Sequence, residues 1–168
     1  MRISEKRKLY LKQIDIHFSE LDKGLEALLY SYEKCQAIKD NRSEYNPEEL
    51  EAFEAFSARF ARASDILTQK AIKSLLKLLQ EDVQTIIDTA NFLDKIGILD
   101  KADDLINIRE LRNQIAHDYV AEDINSLFED VLLYTPTLRD IAESLKQYYV
   151  EKFSAQSQRN QYRYPAKK

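Results

Sequence analysis

The sequence predicts an all-α protein, an antiparallel bundle of four or five helices that also dimerises. Three observations carry that expectation. Apolar residues recur three and four apart through several long stretches, the spacing of one buried helical face. Among 168 residues there are only two glycines and three prolines, so turn-forming material is scarce and connections are few and short. Each long stretch carries a single apolar stripe, which wants a partner along its whole length. With ten tyrosines also present, such surfaces suit a bundle that pairs with a second copy.

Length bounds the organisation to one domain with one real core. It is placed over residues 1–153, followed by a polar tail at 154–168 that reads as disordered, rich in Gln, Arg and Tyr without apolar periodicity. Arg159, Tyr162, Arg163 and Tyr164 in that tail have a second reading as RNA-stacking or charge-neutralising groups. A single cysteine, Cys35, rules out an internal disulfide framework and a multi-cysteine metal cluster. Two histidines far apart in sequence argue against zinc, so no metal and no cofactor are expected. Residues 1–12 are charged and do not resemble a signal peptide, and no apolar run approaches the roughly 20 residues that span a bilayer. A cytoplasmic protein without membrane contact is the expectation. The formal charge of −4 argues against a general nucleic-acid coat protein, yet leaves room for a local basic cleft.

The first helix is placed at about Glu5 to Lys39, with Leu11, Ile14, Phe18, Leu21, Leu25, Leu28, Tyr32 and Cys35 in its stripe. Gly24 lies inside it at a cost of about 1 kcal/mol relative to Ala, and close packing on a neighbour would explain it. His17, beside Phe18, reads as a half-exposed helical side chain, and Cys35 as a small core residue. Asn46-Pro47-Glu48-Glu49 starts the second helix: a capping amide, Pro at the first position, acids at the positive end of the dipole. It runs to about Leu79 with Phe53, Phe56, Phe60, Ala63, Leu67, Ala71, Leu75 and Leu78 inward. Arg59, Arg62, Lys70, Lys73 and Lys77 form a solvated face, or else Arg59 or Arg62 lines an RNA cleft.

The third helix is placed at Glu81 to Lys95, with Val83, Ile86, Ile87, Ala90 and Leu93 inward, and Gly97 fits its C-terminal cap with Ile98 folding back. Asp100 then caps the fourth helix, with Asp103 in a box-like position. The fifth runs from about Asp123 to Phe153, and Pro136 inside it should kink it.

Chemistry concentrates at the end of the fourth helix. In Arg109-Glu110-Leu111-Arg112-Asn113-Gln114-Ile115-Ala116-His117-Asp118-Tyr119, an arginine, an amide, a histidine and a tyrosine crowd beside the stripe Leu105, Ile108, Leu111, Ile115. His117 is five residues from Arg112, about 140° around a helix at about 100° per residue. One straight helix does not aim both at one small group, but a second copy across a two-fold axis could complete a shared cleft.

The pattern Arg112-x4-His117-x-Tyr119 resembles the HEPN family, and its HepT-like branch in particular. The resemblance rests on that motif, the Asn directly after the arginine, the position at the end of the fourth helix, and stretches such as Ser57-Ala58-Arg59-Phe60-Ala61-Arg62-Ala63-Ser64-Asp65-Ile66-Leu67. It spans roughly residues 1–153. It implies a homodimeric, metal-independent endoribonuclease toxin of a type VII-like toxin–antitoxin pair, whose partner is a minimal nucleotidyltransferase. By carry-over, Arg112 clamps phosphate, His117 is the general acid or base, and Asn113 supports them. Tyr119 is the residue that the partner adenylylates, which would place charge and bulk where substrate phosphate must sit.

The residue types suit that chemistry independently. RNA supplies its own nucleophile, the 2′-hydroxyl, so cleavage needs proton transfer and a phosphate clamp. Histidine suits the first near neutral pH and the planar arginine fork the second. Asp103 and Asp104 read as dipole and capping acids, with Asp104 also a candidate support for the site. The acidic balance favours a structured substrate such as a tRNA. Two other readings stay open. One is a non-catalytic nucleotide- or partner-binding module working with a nucleotidyltransferase. The other is a purely structural dimer, whose motif is an Arg–carboxylate surface pair beside a helix-ending His.

Overall fold

The computed structural model describes residues 3–39, 44–117 and 124–154. Their regular elements are all helices, with no strand among them. The elements are α1 (Ile3–Ile38), α2 (Pro47–Asp65), a π-helical segment (Ile66–Ile72), α3 (Lys73–Leu79), α4 (Ile86–Lys95), α5 (Ala102–His117), α6 (Ile124–Tyr149) and a final π-helical turn (Val150–Ser154). α2, the π-helical segment and α3 follow one another without a break, so the described residues form five helical rods. None of the described helices is long and apolar enough to cross a membrane. The polar tail at 155–168 lies outside the described residues.

One core serves all five rods, extending from Ile14 on α1 to Phe153 after α6. α1 packs on α2, the π-helical segment, α3 and α6, while α5 packs on α2, α4 and α6. The α1 stripe is buried as its spacing requires: Ile14, Leu21, Leu28 and Cys35 are fully enclosed, and Leu11 and Tyr32 are half-buried at its ends. The Cys35 thiol donates to the Ala52 carbonyl at 3.4 Å, tying α1 to the first turns of α2. Gly24 lets α1 pack closely on the end of α2 and the start of the π-helical segment, since a Cβ there would lie 3.2 Å from Ile66 Cδ1 and 3.9 Å from Ala63 Cα. His17 Nδ1 sits 2.5 Å from the buried Ser74 hydroxyl and joins α1 to α3.

The start of α2 follows its sequence signal. The Asn46 side chain accepts from the Glu49 amide at 2.9 Å and donates to the Glu49 carboxylate at 2.6 Å. Phe53 stacks on Phe128 of α6 with ring centroids 4.6 Å apart. α6 runs through Pro136 as one element. Just before the proline, the buried Thr135 hydroxyl donates to the Val131 carbonyl at 2.6 Å.

Two boundaries differ from the sequence expectation. The third rod begins at Ile86, not Glu81, because Thr85 supplies the cap: its hydroxyl accepts from the Asp88 amide at 3.0 Å. Residues 81–84 are outside the helix, Val83 is only half-buried, and Ile87 points outward at 55% exposure. α5 begins at Ala102, one residue later than a cap at Asp100 would place it. The C-terminus of α4 follows the expectation. Gly97 takes φ +83°, its amide donates to Asp94 (3.0 Å), and the Ile98 amide donates to Leu93 (2.9 Å), closing the cap over buried Ile98.

The end of α3 uses the same device with an ill-suited residue. Gln80 adopts φ 58° while the Glu81 amide reaches the Leu76 carbonyl at 2.9 Å. A residue with a Cβ is strained there by roughly 1–2 kcal/mol, and glycine is not. Gln80→Gly is expected to raise stability by up to about 1 kcal/mol, because the added freedom of the unfolded chain offsets part of the relief. Urea unfolding followed by circular dichroism checks it, and a lower midpoint would show that the Gln80 side chain contributes more than its strain costs.

Candidate functional site

α5 is the element that positions the motif. Leu105, Ile108 and Leu111 bury one face against the core, so Arg109 and Arg112, one turn apart, emerge together at its edge. They meet Asp65, the last residue of α2, where the chain passes into the π-helical segment. Arg112 Nε donates to Asp65 Oδ1 at 2.8 Å and Nη2 to Oδ2 at 2.9 Å, a bidentate pair. Arg109 Nη1 reaches the same Oδ1 at 3.2 Å. The carboxylate's hydrogen bonds hold the Arg112 guanidinium more firmly in its charged form than usual. The two side chains of the bidentate pair keep 29% and 38% of their surface exposed, so the cluster is open to solvent.

Arginine has five N–H donors, and the Asp65 pair uses two. Three remain for an incoming oxygen. The arrangement resembles a clamp already oriented: Asp65 fixes the plane of the fork and its unused edge stays available.

Asn113 and His117 follow on α5, both exposed, and neither makes a side-chain hydrogen bond among the described residues. His117 is the last residue of the helix. It lies about 7.5 Å further along the axis than Arg112 and roughly 140° around it. The helix therefore does not bring Arg112 and His117 to one point. Tyr119, the expected modification site, lies outside the described residues. Asp104 is half-buried in the first turn of α5, about 12 Å along the axis from Arg112. The carboxylate that supports Arg112 belongs to Asp65 instead.

Asp65 is the residue that sequence reasoning missed. It sits inside the Ser57–Leu67 stretch on which the resemblance partly rests, yet nothing in helical spacing alone joins it to a residue 47 positions later. Its one local sign was an acid beside the apolar stripe of a long helix. Arg59 and Arg62 both line a groove between α1 and α2, with Asp65 in its wall. Among the described residues no group of three or more His, Cys, Asp or Glu side chains is arranged to hold a metal ion. Compared with protein-family models, curated proteins and solved structures, the chain matches none.

Proposed function

We propose that the chain is a metal-independent endoribonuclease of the HEPN kind, a HepT-like toxin acting as a homodimer and neutralised by a nucleotidyltransferase partner. The observation that carries the reading is the Asp65–Arg112 clamp. A guanidinium held in plane by a carboxylate, with donors to spare, is suited to a scissile phosphate and to the negative charge that grows on it. In this reading Arg112 binds the phosphate and His117 moves the proton between the 2′-hydroxyl and the leaving 5′-oxygen. Asn113 orients one of them. Attack of the 2′-oxygen on phosphorus breaks the bond to the 5′-oxygen and leaves a cyclic phosphate.

The separation of Arg112 and His117 around α5 is the reason for a dimer. The His117 that serves one Arg112 then comes from a second copy, through a two-fold arrangement of the α5 ends. Tyr119 follows His117 by two residues, and adenylate attached there would set a phosphate against the same arginine. Intact-mass spectra of the protein co-expressed with its nucleotidyltransferase are expected to show an adenylate-sized increment mapping to Tyr119. Its consistent absence would remove that part of the proposal.

Incubation of unmodified protein with total cellular RNA in EDTA tests the activity. The wild type is expected to cut, and His117→Ala to cut at least about a hundredfold more slowly, the usual contribution of a positioned proton-transfer group. Equal cleavage by the two would sink the assignment. A second reading has one observation of its own: one edge of the Arg112 fork is already paired with a carboxylate, as in a structural ion pair. A binding module working beside a nucleotidyltransferase would show a tight complex with that enzyme and no cleavage by either form.

A further inference from the structure

We propose that the groove between α1 and α2 is a track for single-stranded RNA leading to the Arg112 clamp, an inference that rests on the ribonuclease reading. The groove encloses about 920 Å³. Lys23 of α1, Arg59 and Arg62 of α2, and Lys70 of the π-helical segment line it, with two carboxylates, Glu20 and Asp65. The carboxylates are both engaged: Lys70 Nζ lies 2.6 Å from Glu20, and Asp65 holds Arg112 and Arg109. Lys23, Arg59 and Arg62 carry no ion pair to a carboxylate among the described residues. A chain with a formal charge of −4 thus keeps a locally positive groove.

The shape is built in. Gly24 and Ala27 keep the α1 wall low, and even a methyl group at Gly24 would press on Ile66 at 3.2 Å. Arg59 is set in place, with Nη1 donating to the Ser31 hydroxyl at 2.8 Å and to the Ala27 carbonyl at 3.4 Å. Its guanidinium lies 5.8 Å from the ring centroid of Tyr30, an aromatic left 65% exposed. Cations along a groove with an exposed aromatic beside them are what a single strand uses: the cations neutralise backbone phosphates while an unstacked base lies on the ring. An acidic peptide would use the cations and leave Tyr30 idle. Asp65 belongs to both the groove wall and the Arg112 clamp, so a strand in the groove delivers its next phosphate to the free edge of Arg112.

Fluorescence anisotropy of a labelled single-stranded oligoribonucleotide, 2′-O-methylated throughout so that it cannot be cut, tests this with the full chain over 50–300 mM salt. The double variant Lys23→Gln/Arg62→Gln is expected to bind at least about tenfold more weakly. The slope of log affinity against log salt should fall by about 1.4, since each lost phosphate contact contributes about 0.7 for a single strand. Tyr30→Ala should lose about fivefold or more in affinity with little change in slope. Unaltered affinity and slope in the double variant, with clear binding by the wild type, would overturn the track and leave the ribonuclease reading standing. Loss of binding in the double variant while the wild type fails to cut unmodified RNA would keep the track and remove the ribonuclease. No RNA binding by the wild type would overturn both. Displacement of the RNA by poly-glutamate at equal affinity, with Tyr30→Ala silent, would assign the groove to an acidic protein and overturn the proposal.

Discussion

Arg112→Ala is expected to slow RNA cleavage by about 100- to 1,000-fold, the usual loss when one preorganised donor to a developing oxyanion is removed. The fold should barely register the change. The Asp65–Arg112 pair is partly exposed, at 38% and 29%, and ion pairs of that kind contribute roughly 0–1 kcal/mol. For a domain of this size that is a Tm shift of about 2–4 °C at most. Cleavage rates and thermal unfolding measured on one preparation separate the two effects. Arg112→Lys sharpens the test, because lysine keeps the charge and loses the planar fork, and it should recover little activity. Asp65→Asn leaves Arg112 in place but weakens what orients it, so its rate should fall between wild type and Arg112→Ala. Wild-type cleavage by Arg112→Ala would remove the clamp from the mechanism. A Tm loss far beyond 4 °C would make the pair a structural one.

Phe53→Ala is expected to be the most damaging substitution in the core, at about 3–5 kcal/mol. Phe53 is fully enclosed on α2, stacks on Phe128 at 4.6 Å, and meets the Tyr45 ring at 4.9 Å. It thereby joins α2, α6 and the segment before α2 through one ring. Total stability of 5–15 kcal/mol leaves little margin for that loss. Urea unfolding should show a midpoint lowered by more than a molar, and Phe53→Leu, which retains most of the volume, should recover much of it. A loss below about 1 kcal/mol in Phe53→Ala would mean that Phe128 and Tyr45 close over the space.

Much of the fold was legible because periodicity reports burial directly. The α1 stripe, the Asn46 cap, the Gly97 cap and the reach of the last helix to Phe153 all follow from spacing and capping chemistry. The start of α4 was not, because Val83 extends an apolar pattern past the residue that caps the helix, and a threonine cap competes weakly for notice. The π-helical segment did leave a trace. Ala63, Leu67, Ala71 and Leu75 are all fully buried and all four apart. Three successive four-residue steps drift by about 120° on a regular helix, roughly one residue's worth, and the wider turn at Ile66–Ile72 absorbs it. The arginine and histidine of the candidate site were named from their types and order together with the resemblance that their spacing carries. Their acidic support was not, since contact between Asp65 and α5 is a product of packing between helices.

Cys35 gives this chain a built-in clock. It is the sole thiol, fully enclosed between α1 and α2, and burial pushes its pKa up to about 11. At neutral pH almost none of it is thiolate, the only form that reacts, and no reagent reaches it while the helices stay together. Alkylation can therefore proceed only during the moments when α1 lifts from α2. The rate at which the protein gains one label counts those openings, and a ligand that spans the two helices would slow the count without touching the sulfur.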